Sequence, residues 1–350
     1  MTEPDLQRLL SEIDEQPTVV ARLLERQRSI VRDLAQATRQ RDPRAIVLVA
    51  RGSSDNAAVY GRYLFEVCNR RLTSLAAPSG LTLYGSGPRL DDTLVIGVSQ
   101  SGQGEDVVAY VRAARAQGAA TVAIVNDATS PLAKAAECVL ECLAGPELSV
   151  PATKTVTAQM TVLAMLSDAL GGGDADRGGL EPLPAAIGAA LERRAMAAEL
   201  ARRLAKGTVG SVIGRGFAFP PALEIALKLK ETSYTRAEPF SAADFLHGPV
   251  ALVERDYSAL LVDVGGRSTE AATGIARAVQ QRGGRPVLLR AARGDGPAGL
   301  IGLTVDVDVS EPYAPIVVLV LGQLLAVELA GALGFDPARP RGLHKVTSTR

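Results

Sequence analysis

The chain has 350 residues, 47% of them hydrophobic, which is enough for one large core or two ordinary ones, and length favours two domains. Lys plus Arg and Asp plus Glu number 38 each, so there is no concentrated basic surface, and neither a nucleic-acid partner nor an anionic membrane is expected. The three cysteines, Cys68, Cys138 and Cys142, are odd in number and lack metal-ligand spacing. They read as buried small apolar side chains in a reducing compartment, which points to the cytoplasm.

The N-terminal MTEPDLQRLLSEIDEQP is acidic and has no apolar core, so it is not a signal peptide, and residues 1–30 read as a helical segment. A first α/β domain is expected over 31–172, with apolar runs AIVLVA (45–50), TLVIGVS (93–99), ATVAIV (120–125) and CVLECLA (138–143). GGGDADRGG (171–179) is polar and flexible and breaks the chain, with a linker and helix over 173–196. A second domain over 197–337 carries TVGSVIG (208–214), SALLVDVG (258–265), RPVLLRA (285–291) and LTVDVDV (303–309). Continuous β-branched runs separated by helical segments indicate parallel strands covered on both faces. Tyr313 to Val327 is the most apolar stretch; it falls short of the ~20 residues that span a bilayer and contains Pro315 and Gln323, so it reads as a buried helix that could also serve a subunit contact. Residues 338–350 form a polar tail.

The two halves echo each other. Arg51-Gly52 and Arg215-Gly216 each follow the first strand of their half, and Ala58 and Ala222 keep the same 164-residue spacing, which is economically explained by duplication. In a parallel open sheet, ligands bind beyond the carboxyl ends of the strands. Ser99-Gln100-Ser101-Gly102 lies there, ahead of a helix expected from about Gly104 to Gln117. Two hydroxyls, an amide and the free N–H groups of a helix start make a neutral phosphate cradle, although the same residues also serve as ordinary turn caps. There is no P-loop Lys and no dinucleotide fingerprint, so a monophosphate is expected rather than a nucleotide. Arg51-Gly52-Ser53-Ser54 and Val150-Pro151-Ala152-Thr153-Lys154 are two further polar turns at the same sheet edge.

In GRGFAFPPALEIALKLKETSY, Pro220 and Pro221 open a helix on which Glu224, Lys228 and Glu231 share a face at i, i+4 and i+7. That face reads equally as a solvated ion pair or as acid–base machinery. In AEPFSAADFLHGP, Ser241 and Asp244 are candidate caps and His247-Gly248-Pro249 ends the helix. His247 and His344 are the only histidines, and histidine is the side chain best matched to proton transfer near neutral pH.

The ordered motifs ARGSSDNA, VSQSG, VNDATSPLAK, AGPELSVPATK, GRG, ALKLKE, AEPFSAADFLHGP and PRGLHKV resemble the double sugar-isomerase (SIS) domain family. The likeness is to the isomerase half of glucosamine-6-phosphate synthases and, more closely, to stand-alone SIS-type glucosamine-6-phosphate deaminases, from about Glu12 to Lys345. The resemblance implies two tandem SIS domains, each a flavodoxin- or Rossmann-like parallel sheet of about five strands with helices on both faces. By the same resemblance, Ser99, Gln100 and Ser101 hold the phosphate. Ser53, Ser54, the Val150 backbone and Thr153 then serve sugar binding, Glu231 moves the proton between C1 and C2 with Lys228 beside it, and His247 opens the ring. Lys345 closes over the substrate and meets its open-chain carbonyl. A carboxylate that shuttles such a proton needs a raised pKa and a nearby cation, which a dry interdomain cleft containing Lys228 would supply. No metal and no cofactor is implied. A homodimer is implied twice, by a His247 lent to the neighbouring subunit and by the apolar helix near 315–333.

Without a glutaminase domain or a cysteine near residue 1, release of ammonia to give fructose 6-phosphate is the expected direction. Gly104, Gln103 and Pro151-Ala152 depart from the usual pattern, and one lost hydrogen bond to a charged group is worth about 1.5–3 kcal/mol. Gly104 and Ala152 also leave room for an N-acetyl group, so a dehydratase acting on N-acetylglucosamine 6-phosphate is the alternative, and a non-catalytic sugar-phosphate sensor is the alternative of another class.

Overall fold

The structure, a computed structural model, describes residues 3–171 and 179–345. The 171–179 break expected from composition falls almost wholly outside the described residues. The chain opens with helices α1 (Glu3–Asp14), α2 (Gln16–Arg26) and α3 (Arg28–Arg41). Strand β1 (Ala45–Val49) follows, then α4 (Ser53–Tyr63) with a π-helical turn at Leu64–Cys68, β2 (Thr73–Leu75), α5 (Pro78–Thr82), β3 (Thr93–Ser99) and α6 (Glu105–Ala116). Next come β4 (Ala120–Val125), α7 (Pro131–Ala135), β5 (Cys138–Glu141), α8 (Lys154–Leu170), α9 (Leu183–Leu191) and α10 (Arg194–Leu204). The second series is β6 (Thr208–Gly214), α11 (Phe219–Ser233), β7 (Glu238–Ser241), α12 (Ala242–Leu246), β8 (Tyr257–Asp263), α13 (Ser268–Gln281), β9 (Arg285–Ala291), β10 (Ile301–Val305) and α14 (Ala314–Ala332).

Two compact units result. One comprises Thr18–Glu147, Lys154–Arg177 and His344–Arg350, the other Met1–Pro17, Leu148–Thr153 and Gly178–Leu343. The first unit holds a five-stranded sheet in the order β2-β1-β3-β4-β5, the second a sheet in the order β7-β6-β8-β9-β10, and all pairs are parallel. This is the same doubly-wound order twice. The 164-residue spacing places β3 on β8 from first residue to last. It also superposes two left-handed glycine pairs, Gly52 and Gly216 at φ 58° and 59°, and Gly102 and Gly266 at φ 63° and 56°. The duplication expected from two Arg-Gly turns thus extends through the whole sheet.

The strands are buried because both faces are covered. In the first unit Val47, Val95 and Ala123 pack with Val107, Val111 and Leu132, and in the second Ile213, Leu261 and Leu288 pack with Phe245, Ile275 and Val279. The apolar runs marked every central strand but missed the edge strands β2 and β7. Thr73–Leu75 has only three residues, and Glu238–Ser241 carries Pro239, which an edge tolerates because one side of it forms no ladder. Ser241 does stand at the N-cap of α12, yet its side chain makes no capping hydrogen bond. None of the three cysteines is in a disulfide; Cys142 is fully buried and burial raises its thiol pKa, while Cys68 and Cys138 are half-buried rather than buried as expected.

Helix α14 is apolar all round because α9, α10, α11 and β9 enclose it. By length and composition it could cross a membrane, but 89% of its apolar window is buried within the chain. Its own unit thus supplies most of the burial that the sequence led one to expect for this helix. Its one internal amide, Gln323, accepts from Gln16 Nε2 at 2.8 Å and donates to the Thr153 carbonyl at 3.2 Å.

Candidate active site

The first unit builds a polar cradle at the carboxyl end of its sheet. The β-branched run of β3 ends in a turn in which Ser99 Oγ accepts from Gly102 N at 3.0 Å and Ser101 Oγ accepts from Gln103 N at 3.3 Å. A hydroxyl that accepts a backbone N–H still has its own proton to donate, and Ser99, Gln100 and Ser101 are all part-exposed, so the turn can donate to an anion. Gly102 must be glycine, because φ is 63° and a Cβ there would run into the Ser130 side chain. The Gln100 carbonyl accepts from Asn126 N at 3.2 Å, which ties the turn to the end of β4. Helix α6 starts at Glu105 after Gly104, which offers no side-chain cap, and ends before Gln117, as expected.

The neighbouring turn, after β1, is fastened to this one. Arg51 forms an ion pair at 2.6 Å with Asp106, a buried carboxylate in the first turn of α6. Ser53 is half-buried at the start of α4, and the buried Ser54 Oγ accepts from Gln159 Nε2 at 3.0 Å. Asp55 beside them has its pKa raised, chiefly by burial and against the pull of Arg51.

In the same unit Lys345 of the tail is already engaged. Its ammonium lies 2.6 Å from Glu147 Oε2, a fully buried carboxylate that also accepts from Thr155 N at 3.1 Å and Thr155 Oγ1 at 2.7 Å. Glu147 lies inside the quoted AGPELSVPATK motif, but nothing in its local sequence marks it as the tail's partner.

The second unit carries the ionisable cluster. Pro220 and Pro221 occupy the first turn of α11, where a missing N–H costs nothing, and the helix runs to Ser233. Glu224 and Lys228 are each 2% exposed and Glu231 is 21% exposed, so the face that could have been solvated is buried. Lys228 Nζ is 3.4 Å from Glu224 Oε1 and makes a still shorter hydrogen bond to Glu231 Oε2. Burial alone would depress the Lys228 pKa, but the two carboxylates outweigh it and hold the pKa above the usual lysine range. The ammonium is thus fixed, and Glu231 is the member of the triad that reaches solvent.

Thr153 is buried and lines a narrow pocket of about 10 Å³ together with Pro151, Lys228, Thr232 and Gln323, so structure brings Thr153 and Lys228 together. Val150 is half-buried on the same loop. This loop is pinned from α1, where the buried Glu12 carboxylate accepts from Leu148 N at 2.5 Å and from Ser149 N at 3.3 Å. His247 caps the end of α12 through its backbone and is exposed, as are the nearby Leu246 and Leu252, by 50% and 58%. Tyr234, left-handed at φ 54°, ends α11 and holds the segment that leads to the tail: its hydroxyl accepts from Arg341 N at 2.9 Å, the Arg341 guanidinium stacks 4.0 Å over its ring, and Phe335 meets it edge-on at 4.9 Å. Among the described residues no group of three or more His, Cys, Asp or Glu is placed to hold a metal ion.

Two like-ordered parallel sheets with polar turns beyond their strands define a doubly-wound α/β protein. The chain belongs to the SIS-domain family, with residues 41–168 and 211–331 matching the SIS domain. It is 35% identical to the glutamine–fructose-6-phosphate aminotransferase (isomerizing) of Bradyrhizobium diazoefficiens, over 96% of this chain and 58% of that protein. The chain therefore spans little more than half the length of the curated relatives it matches. Its structure is similar to the C-terminal domain of glucosamine-fructose-6-phosphate aminotransferase from Francisella tularensis, with TM-score 0.84, 25% identity, and coverage of 95% of this chain and 98% of that one. It also shares its fold with glucosamine-6-phosphate deaminase from Thermotoga maritima, with TM-score 0.78, 21% identity, and coverage of 98% and 100%.

Proposed function

We propose that the chain is an amino-sugar-phosphate enzyme of the sugar-phosphate isomerase type, and that it converts glucosamine 6-phosphate to fructose 6-phosphate and ammonia. The observation that carries this reading is the buried Lys228 held between Glu224 and Glu231, with Glu231 alone of the three reaching solvent. The homology to isomerizing aminotransferases supports the substrate class, and the fold shared with a glucosamine-6-phosphate deaminase supplies the reaction to be tested.

In this reading Ser99, Gln100 and Ser101 take the phosphate while Ser53, Ser54, the Val150 backbone and Thr153 serve the sugar hydroxyls. His247, contributed across a homodimer, transfers the proton that opens the ring. Glu231 removes the C2 proton of the open-chain aldehyde and returns it to C1 while the aldehyde oxygen gains and the amine nitrogen loses a proton, giving the 2-imine of fructose 6-phosphate, and water hydrolyses that imine to the ketose and ammonia. Lys228 offsets the carboxylate charge and holds Glu231 in place through its hydrogen bond. Lys345 leaves Glu147 to close over the open-chain sugar.

The test is mass spectrometry of the purified protein incubated separately with glucosamine 6-phosphate and its N-acetyl form, with Glu231→Gln as control. Fructose 6-phosphate and free ammonia from the amine, absent with the variant, are expected. Loss of water from the acetylated sugar alone would replace this reading with a dehydratase. If both sugars bind unchanged, a sensor takes its place. Sedimentation that finds a fully active monomer would remove the shared His247.

A further inference from the structure

The duplication sets two turns in register. Ser99 closes β3, Asp263 closes β8, and the 164-residue spacing carries Gly102 onto Gly266 and the start of α6 to within one residue of the start of α13. In the first turn the hydroxyls at Ser99 and Ser101 are part-exposed and keep a proton to donate. In the second turn every comparable donor is already spent on the chain's own acids. Asp263 Oδ1 accepts from Gly265 N, Ser268 Oγ and Thr269 Oγ1, each at 2.9 Å. Its other oxygen forms an ion pair with Arg290, which is 6% exposed on the side chain and also donates to Thr269 Oγ1 at 3.2 Å. Arg267 N donates to Glu311 Oε2 at 3.2 Å, and a Cβ at Gly266 would strike that same carboxylate. Arg290 Nε is buried without a hydrogen-bond partner among the described residues.

One amide, two hydroxyls and a guanidinium around one acceptor is the donor set that a phosphate monoester takes at a helix start. We infer that the second unit carries a second phosphate cradle held shut by its own carboxylates, Asp263 with Glu311 in support. Each chain therefore takes up one phosphate, and Asp263→Ser opens the second site onto Arg290. The correspondence rests on the reading of Ser99–Gly102 as the working cradle, while the second cluster stands on its own contacts.

Calorimetric titration with inorganic phosphate at constant ionic strength, together with thermal melting, decides it. The wild type is expected to bind one phosphate per chain, at least tenfold more weakly after Ser99→Ala with Ser101→Ala. Asp263→Ser, alone or with Glu311→Ala, is expected to bind two. The second phosphate should survive the paired serine substitutions and vanish when Arg290→Met is added. A folded Asp263→Ser protein that binds no additional phosphate overturns the inference. If Asp263→Ser does not fold in chloride, recovery of a cooperative melt in phosphate supports the inference and failure to recover overturns it. Wild-type phosphate binding that ignores the paired serine substitutions would sink the first cradle instead, and the Asp263→Ser count would still judge the second.

Discussion

The two units run the same sheet order at the same spacing, yet they keep different chemistry at matched positions. At the end of the third strand the first unit has Ser99 and an open turn, where the second has Asp263 and a closed one. After the first strand the roles reverse. Glu224, Lys228 and Glu231 on α11 correspond, 164 residues back, to Tyr60, Leu64 and Val67, of which Tyr60 and Leu64 are fully buried core. A doubly-wound sheet fixes where a ligand can lie, and the side chains at two turns and one helix face give its two copies different chemistry.

Removing the cation from the ionic triad, which has no counterpart in the first unit, should give the largest effect. Lys228→Met strands buried carboxylate charge and is expected to cost about 3–5 kcal/mol in denaturant unfolding, with activity lost. The pH dependence sharpens this result. Because Lys228 is held above its ordinary value of 10.5, its contribution is fully present below that pH and lost as pH rises through the higher folded value. Wild-type stability should thus fall in strong alkali by a component that the methionine variant lacks.

Ser101→Ala removes one donor from the open turn. A loss of about 1.5–3 kcal/mol in phosphate-ester binding is expected, read as a KM increase with the melting temperature nearly unchanged. The smallest effect is expected at the tail. Arg341→Ala removes the guanidinium stacked on Tyr234, worth about 0.5–1 kcal/mol at an exposed site. It should speed tryptic cleavage at Lys345 and lower kcat several-fold while leaving KM alone. A KM rise with kcat intact would place Tyr234 and Arg341 outside tail positioning.

The central strands were legible because burial on both faces forces unbroken β-branched runs such as TLVIGVS and SALLVDV. Two of the four edge strands, β2 and β7, were not, since three residues at Thr73–Leu75 and a proline-bearing Glu238–Ser241 leave no run to read. The open turn and the triad were visible as local spacings. Glu12 and Glu147 were not, because their partners lie 136 and 198 residues away, at Leu148 and Lys345, and only folding joins them. The apolar run of α14 marked a buried helix but not what buries it, because burial by α9, α10 and α11 leaves the same signature as burial by another chain.

The most direct measurement is proton NMR of glucosamine 6-phosphate with the protein in deuterium oxide, following exchange at C2 and label appearing at C1 of the ketose. Wild-type protein should exchange the C2 proton, and Glu231→Gln should slow that exchange at least a thousandfold while inorganic phosphate still binds. Undiminished exchange in Glu231→Gln, with the variant folded, would contradict the assignment of Glu231 as the proton carrier.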